Sequence, residues 1–304
     1  MKRILAMAIG PKDKSETLLS KKAARAPNLR RYIQGLVEGL SEHGQEIGKT
    51  FEINYAEHPI IAAKHFTETD LVFGMSTTVV RAAQEALGDR VPILGIVSDR
   101  KVEQFDQSNI ACFSARRSQS ADDCFRRFMV TVPTLRTVHV LHKEGYGPSE
   151  RGVHEIKQAA QGTNVDIVVS PADDLDQIKS ALDKLDARKK SEPATAGVLV
   201  QGVDLFLSQA AVIIDRAQTK KRLPVFIGVP EWVRADGSGA LGAFGISQQT
   251  AGVRAADQAA RMLWPKAKKP LQLDVLGADE DFEWVVSKRV ADELKIHVSI
   301  PRLV

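Results

Sequence analysis

Two cysteines, Cys112 and Cys124, stand in a chain of 304 residues, and no CxxC motif is present. They are too few and wrongly spaced for a disulfide scaffold, and both read as small, half-buried apolar residues. Aromatic residues make up only 6%, and none interleaves with the basic runs. Those runs, Lys21-Lys22, Lys189-Lys190, Lys220-Lys221-Arg222 and residues 266–269, are short, and the formal charge of +4 is small for the length. They fit solvated helix ends and loops, so no nucleic-acid partner is expected.

Long apolar runs are missing as well. None reaches the roughly 18 residues that a membrane-spanning helix needs. The start, Met1-Lys2-Arg3 and then Ile4-Leu-Ala-Met-Ala-Ile-Gly10, has the order of a signal peptide. Its apolar stretch passes straight into Pro11-Lys-Asp-Lys with no small-residue cleavage site, so a buried first strand accounts for it better.

Catalytic signatures are equally scarce. The first strand runs into Gly10-Pro11-Lys12 without GxGxxG, and no GxxxxGK[ST] occurs, so no nucleotide and no other cofactor is expected. His43, His58, His65, His139, His142, His154 and His297 show no HExxH spacing, and no GxSxG elbow is present. His139 and His142 read as packing or loop residues. No catalytic residue and no metal ligand is assigned, and the chain is not read as an enzyme.

What is present is a nearly unbroken alternation of strands and helices, the mark of a parallel sheet covered on both faces. Strands are expected at 4–9, 51–55, 70–74, 91–97 and 109–113. A helix over 29–43, capped by Asn28, carries Tyr32, Ile33, Leu36, Val37 and Leu40 on one face, and Gly44 stops it. A short helix is expected before Asp70, and another opens at Ser76-Thr77-Thr78. After residue 114 the pattern restarts. Helices over 118–131, 149–161, 175–184 and 207–221 alternate with strands over 137–141, 165–169, 197–200 and 225–227. A strand over 239–246, a helix over 250–263, a strand over 282–286 and a helix over 287–294 complete the chain. The fold class is therefore α/β: two doubly wound, Rossmann-like lobes.

Several blocks carry a family resemblance: Tyr32-Ile-Gln-Gly-Leu-Val-Glu-Gly-Leu, Leu71-Val-Phe-Gly-Met-Ser-Thr-Thr, Pro92-Ile-Leu-Gly-Ile-Val-Ser-Asp99 and Asn109-Ile-Ala-Cys-Phe-Ser114. Gly202-Val-Asp-Leu-Phe206, Leu223-Pro-Val-Phe226, residues 239–245 and residues 282–294 extend it. In order and spacing the chain resembles the substrate-binding proteins of ABC transporters, in the group with tryptophan- and phenylalanine-binding members, over residues 29–304. It departs from them at Arg100, where relatives typically carry proline, and at Lys143-Glu144-Gly145, where an Asn-Pro turn is commoner.

The resemblance implies a periplasmic-binding-protein fold of type I, with a hinge crossed several times. One lobe would hold 1–114 plus 245–274, the other 115–244 plus 275–304. It implies capture of a small, amino-acid-like ligand by hinge closure, delivery to an ABC permease in the membrane, and action as a monomer. With a leader removed, the protein belongs to the periplasm or cell envelope; with Met1 as native start, to the cytoplasm. The alternative function is a cytosolic small-molecule sensor that signals to a protein partner. Amino-acid racemases use one cysteine from each of two lobes. Cys112 and Cys124, close together near the lobe junction, are read as unsuited to that.

Ligands of open α/β sheets bind beyond the carboxyl ends of the strands, which selects the candidate contacts. Ser76, Thr77 and Thr78 offer hydroxyls and backbone N–H groups to a carboxylate, or plain helix caps. Ser98 and Asp99 follow the next strand, where Asp99 pairs with an ammonium or caps a segment. Ser114 touches ligand or serves the hinge. In the second lobe Tyr146 stacks on an apolar ligand group or covers its loop. Asp204 and Phe206 follow the strand over 197–200; Asp204 is a second ammonium partner or a helix cap, Phe206 a ligand contact, and Glu231 a further candidate. Phe244 and Gly245 stand at the second crossing as contacts or hinge residues.

Overall fold

A computed structural model describes residues 1–7, 27–56, 69–97, 110–114, 120–264 and 282–298. The chain forms two compact units, Met1–Arg117 with Gln248–Gly277, and Ser118–Ser247 with Ala278–Val304. The first unit opens with β1 (Lys2–Met7), α1 (Pro27–Glu42), β2 (Phe51–Ala56), β3 (Leu71–Gly74), α2 (Thr77–Leu87), β4 (Ile93–Val97) and β5 (Ile110–Ser114). The second holds α3 (Ser120–Thr131), β6 (Thr137–His142), α4 (Gly147–Ala160), β7 (Asp166–Pro171), α5 (Leu175–Asp183) and β8 (Ala196–Val200). It continues with α6 (Asp204–Ser208), α7 (Ala210–Ile213), β9 (Val225–Ile227) and β10 (Gly242–Ile246). The chain then returns to the first unit as α8 (Gln248–Leu263) and ends in the second with β11 (Phe282–Val286) and α9 (Lys288–Glu293). None of the described helices is long and apolar enough to cross a membrane.

In the first unit the strands run parallel in the order β2-β1-β3-β4-β5. Every residue of β3 and β4 is buried, the continuous apolar run of a strand covered on both faces. α1 buries Ile33, Leu36 and Leu40. It starts at Pro27, two residues ahead of the expected boundary, because proline fits the first helical turn, where its missing N–H costs nothing. It ends at Glu42, and two residues on the φ of +73° at Gly44 lets Gln45 N–H reach back to the Leu40 carbonyl at 3.0 Å. α1 and α8 meet through glycines. A Cβ on Gly39 would stand 2.5 Å from the Ala256 Cβ, and one on Gly35 or Gly252 would run into the carbonyl of Gln249 or Tyr32. At the end of this seam His43 Nε2 lies 2.7 Å from Asp257 Oδ1.

In the second unit the order is β11-β10-β9-β8-β6-β7, parallel except for β11, which runs antiparallel to β10. Its sheet separates two apolar layers, and the two-residue strand period divides the side chains between them. Along β8, Leu199 joins Phe128, Ile156 and Phe226 in one layer. Val198 and Val200 join Phe206, Ile213 and Trp232 in the other. The single helix expected over 207–221 is instead broken. α6 and α7 are followed by a wide π-helical stretch, Ile214–Lys220. That stretch sets the buried Gln218 against three backbone groups. Its Nε2 donates to Gly239 O (2.8 Å), and its Oε1 accepts from Val225 N–H (3.3 Å) and Leu241 N–H (2.9 Å). A 3-10 turn, Pro230–Trp232, was also not expected. The short helix expected before Asp70 lies outside the described residues.

His139 on β6 is half-buried, and its Nδ1 has no hydrogen-bond partner among the described residues. Burial, opposed in part by Asp186, holds its pKa below the ordinary 6.5. The unfolded chain therefore binds this proton at higher pH than the folded one. Stability should decline as pH falls below 6.5 and level off once the folded ring also protonates. Urea midpoints between about pH 7.5 and 5 should fall less steeply in His139→Gln; equal slopes would exclude this residue as a source.

Candidate functional site

In a doubly wound sheet a crevice opens at the carboxyl ends of the two neighbouring strands between which the winding reverses. These are β1 and β3 in the first unit and β6 and β8 in the second. The loop after β3 is drawn onto the end of β1, where Met75 N–H donates to Met7 O at 3.0 Å. Ser76 then caps α2 with extended backbone, its Oγ accepting from Val79 N–H at 3.2 Å. Ser76 and Thr77 are both buried, and no acidic side chain stands in the first turn of α2. Thr78 lies in the same turn, and the positive end of the helix dipole has no carboxylate of its own turn to neutralise it. Ser98 and Asp99 follow β4 directly and lie outside the described residues. Ser114 ends β5, in register with Val97.

In the second unit Tyr146, Asp204 and Glu231 each follow one of the adjacent strands β6, β8 and β9. Gly145 takes a φ of +64°, which turns the chain from β6 into α4. The half-buried Tyr146 packs on the layer containing Phe206, with the Lys143 ammonium 5.1 Å from its ring centroid. The loop is pinned at its flanks: Lys143 N–H donates to Ser149 Oγ (3.0 Å), and Glu144 N–H to Asp173 Oδ1 (2.8 Å). Asp204 is the first residue of α6. Glu231 sits in the 3-10 turn beside Trp232.

Two expected contacts stand apart from this group. Phe206 is 0% exposed in the apolar layer under β8. Phe244 is 7% exposed on the opposite layer, stacked on Phe282 at 5.5 Å with the Arg127 guanidinium 5.4 Å from its ring. Gly245 is required by close approach, because a Cβ there would run into the Gly228 carbonyl. The cysteines need a correction. Cys112 lies on β5 of the first unit and Cys124 on α3 of the second, so they do fall one to each unit. Cys124 is buried in an apolar layer, the place of a packing residue. Among the described residues no group of three His, Cys, Asp or Glu could hold a metal ion.

Sequence reasoning missed Gln201 and Ser149. Gln201, 4% exposed at the carboxyl end of β8, donates from Nε2 to Leu141 O at 3.0 Å and to Ser149 Oγ at 3.5 Å. Its Oε1 has no hydrogen-bond partner among the described residues. The available signal was a glutamine directly after an apolar strand and directly before Gly202.

Two doubly wound α/β units, with hydroxyl and polar loops behind the strands, define a protein of the periplasmic-binding-protein fold. The family model described as ABC transporter substrate binding protein matches residues 23–301, and the chain belongs to that family. Among curated proteins none matches it in sequence. Solved structures with the same fold include a conserved domain protein from Vibrio cholerae O1 biovar eltor, 21% identical over 98% of this chain and 96% of that one (TM-score 0.75). Another is an ABC domain in complex with L-Trp from Streptococcus pneumonia, 16% identical over 100% and 99% (TM-score 0.77). A third is a ligand-free, open substrate-binding protein with adhesive properties from Clostridium difficile, 18% identical over 100% and 99% (TM-score 0.65).

Proposed function

We propose that this chain is the solute-binding component of an ABC importer, that its ligand is a small amino-acid-like zwitterion, and that it closes its two lobes on that ligand. The observation that carries this is the buried Ser76-Thr77 turn at the reversal point of the first sheet, a helix N-terminus with no acid in its first turn. Such a terminus stabilises a carboxylate. Asp204, with Glu231 and Tyr146, would serve the ammonium and the side chain, while Thr78, Ser98, Asp99 and Ser114 complete the first lobe's contribution. The protein of like fold that holds L-Trp supports an amino acid as ligand. The family supports a permease partner and a periplasmic or extracellular place of work. The protein would act as a monomer.

A thermal-shift series with L-tryptophan, L-phenylalanine and L-leucine, each beside its carboxamide, tests the carboxylate directly. A ligand at about 100 times its Kd adds roughly 2.7 kcal/mol. The acids should raise Tm and the carboxamides should not, and Ser76→Ala should weaken the acids about tenfold. Equal shifts from acids and carboxamides would remove Ser76 from the site.

A further inference from the structure

We propose that Gln201 is the acceptor through which the second unit recognises an ammonium on the ligand, and that it makes the site discriminate L-amino acids from the matching 2-oxo acids. This rests on the function proposed above and names a residue and a selectivity beyond it. An amide side chain has one acceptor end and one donor end, and its neighbours decide which is which. Here the Leu141 carbonyl, 3.0 Å from Nε2, can only accept, so the donor end must face it. Ser149 Oγ lies 3.5 Å from the same nitrogen and also accepts from Lys143 N–H. With the amide fixed in this way, Oε1 is left as a buried acceptor with no partner among the described residues. A buried acceptor takes its bond from a trapped water or from a ligand.

Its place in the fold favours a ligand. Gln201 directly follows β8, one of the two strands that flank the reversal point of the second sheet. Next to it, Gly202 has nothing within 4 Å of where a Cβ would stand, so the backbone beside the amide faces open space. Asp204 opens α6 two residues further on. Because Oε1 is closed to solvent, a donor reaches it only once the groups around it shift. The bond is then made in the ligand-bound form alone, which is the differential contact that drives closure. A neutral acceptor suits an ammonium, which brings three donors, whereas a 2-oxo acid brings none at that carbon.

The test is calorimetric titration of the full chain with L-tryptophan, L-phenylalanine and L-leucine, and with indole-3-pyruvate, phenylpyruvate and 4-methyl-2-oxopentanoate. The wild type should bind at least one amino acid more than tenfold tighter than its 2-oxo partner, since a site built to pair a donor rejects the analogue lacking it. Gln201→Met, of similar volume and without an acceptor, should lose roughly ten- to a hundredfold for the amino acid and leave the 2-oxo acid unchanged. A merely structural role would weaken both ligands together. Equal loss for both, or no loss for either as when a water alone fills the spot, overturns the proposal and leaves the amino-acid function standing. Should Gln201→Met fail to fold, the wild-type ratio decides: equal affinity for amino and 2-oxo acids overturns it. Failure of every probe to bind the folded wild type overturns both the proposal and the function beneath it.

Discussion

Arg188→Met should lower the stability of the second unit by about 3 kcal/mol, a fall in Tm of roughly 10 °C. Arg188 is 8% exposed, yet its guanidinium binds carbonyls. Nε donates to Arg222 O at 3.0 Å, Nη1 to Glu192 O at 3.0 Å and Nη2 to Leu294 O at 2.7 Å. Two of these acceptors close helical segments: Leu294 follows α9, and Arg222 follows the π-helical stretch by two residues. Helix ends leave carbonyls without intrahelical partners, and a buried end needs donors brought to it. One planar cation thus ties together stretches 34 and 106 residues away in the chain. Burial, reinforced by the nearby Arg222 charge, pushes its pKa down, the mark of a cation held at a desolvation cost. Methionine fills much of the volume and leaves three carbonyls without donors. Arg188→Lys should recover only part of the loss, since an ammonium cannot spread its donors across the same fork. Urea unfolding checks both variants. A loss under about 1 kcal/mol in Arg188→Met would show that water replaces the guanidinium.

Gly252→Ala should destabilise the first unit by about 1–3 kcal/mol, against the usual sign of such a change. Inside a helix, alanine in place of glycine ordinarily gains up to roughly 1 kcal/mol. At Gly252 the new Cβ would overlap the Tyr32 carbonyl and lie 2.9 Å from Leu36 N and 3.0 Å from the Gly35 Cα. All three are backbone atoms of α1, which cannot rotate aside as a side chain can, so α1 and α8 would have to separate and open the packing behind them. Gly202→Ala is the control for folding, because its Cβ meets nothing within 4 Å. Thermal melts of the two variants should part by several degrees, and a Gly252→Ala protein that melts above the wild type would contradict the helix seam described here.

The strands were readable because parallel strands covered on both faces must be apolar throughout, as Ile93-Leu-Gly-Ile-Val is. The helices were readable where turn residues punctuated them, as Gly44 does after α1. The break in the helix over 207–221 was not, because the apolar period continues through it. What changes the turn is the position of Gln218 against the starts of β9 and β10, a long-range fact. From its place after a strand, Phe206 reads as a ligand contact. The spacing Phe206, Ala210, Ile213, Ala217 already described a buried helical stripe, and all four are fully buried. Gln201 was marked only by its place between an apolar strand and Gly202, since an orphaned acceptor exists only once Leu141 and Ser149 are folded around the amide. The loop positions of Ser76 and Tyr146 could be inferred, because the rule that places ligands beyond strand ends needs only the order of elements.

The decisive measurement is isothermal titration of the full chain with each of the twenty L-amino acids, beginning with L-tryptophan. Capture of an amino acid predicts saturable heat at one ligand per chain for a small subset of the panel, weakened by Ser76→Ala. A folded protein that gives no heat with any of the twenty at millimolar concentration would contradict it.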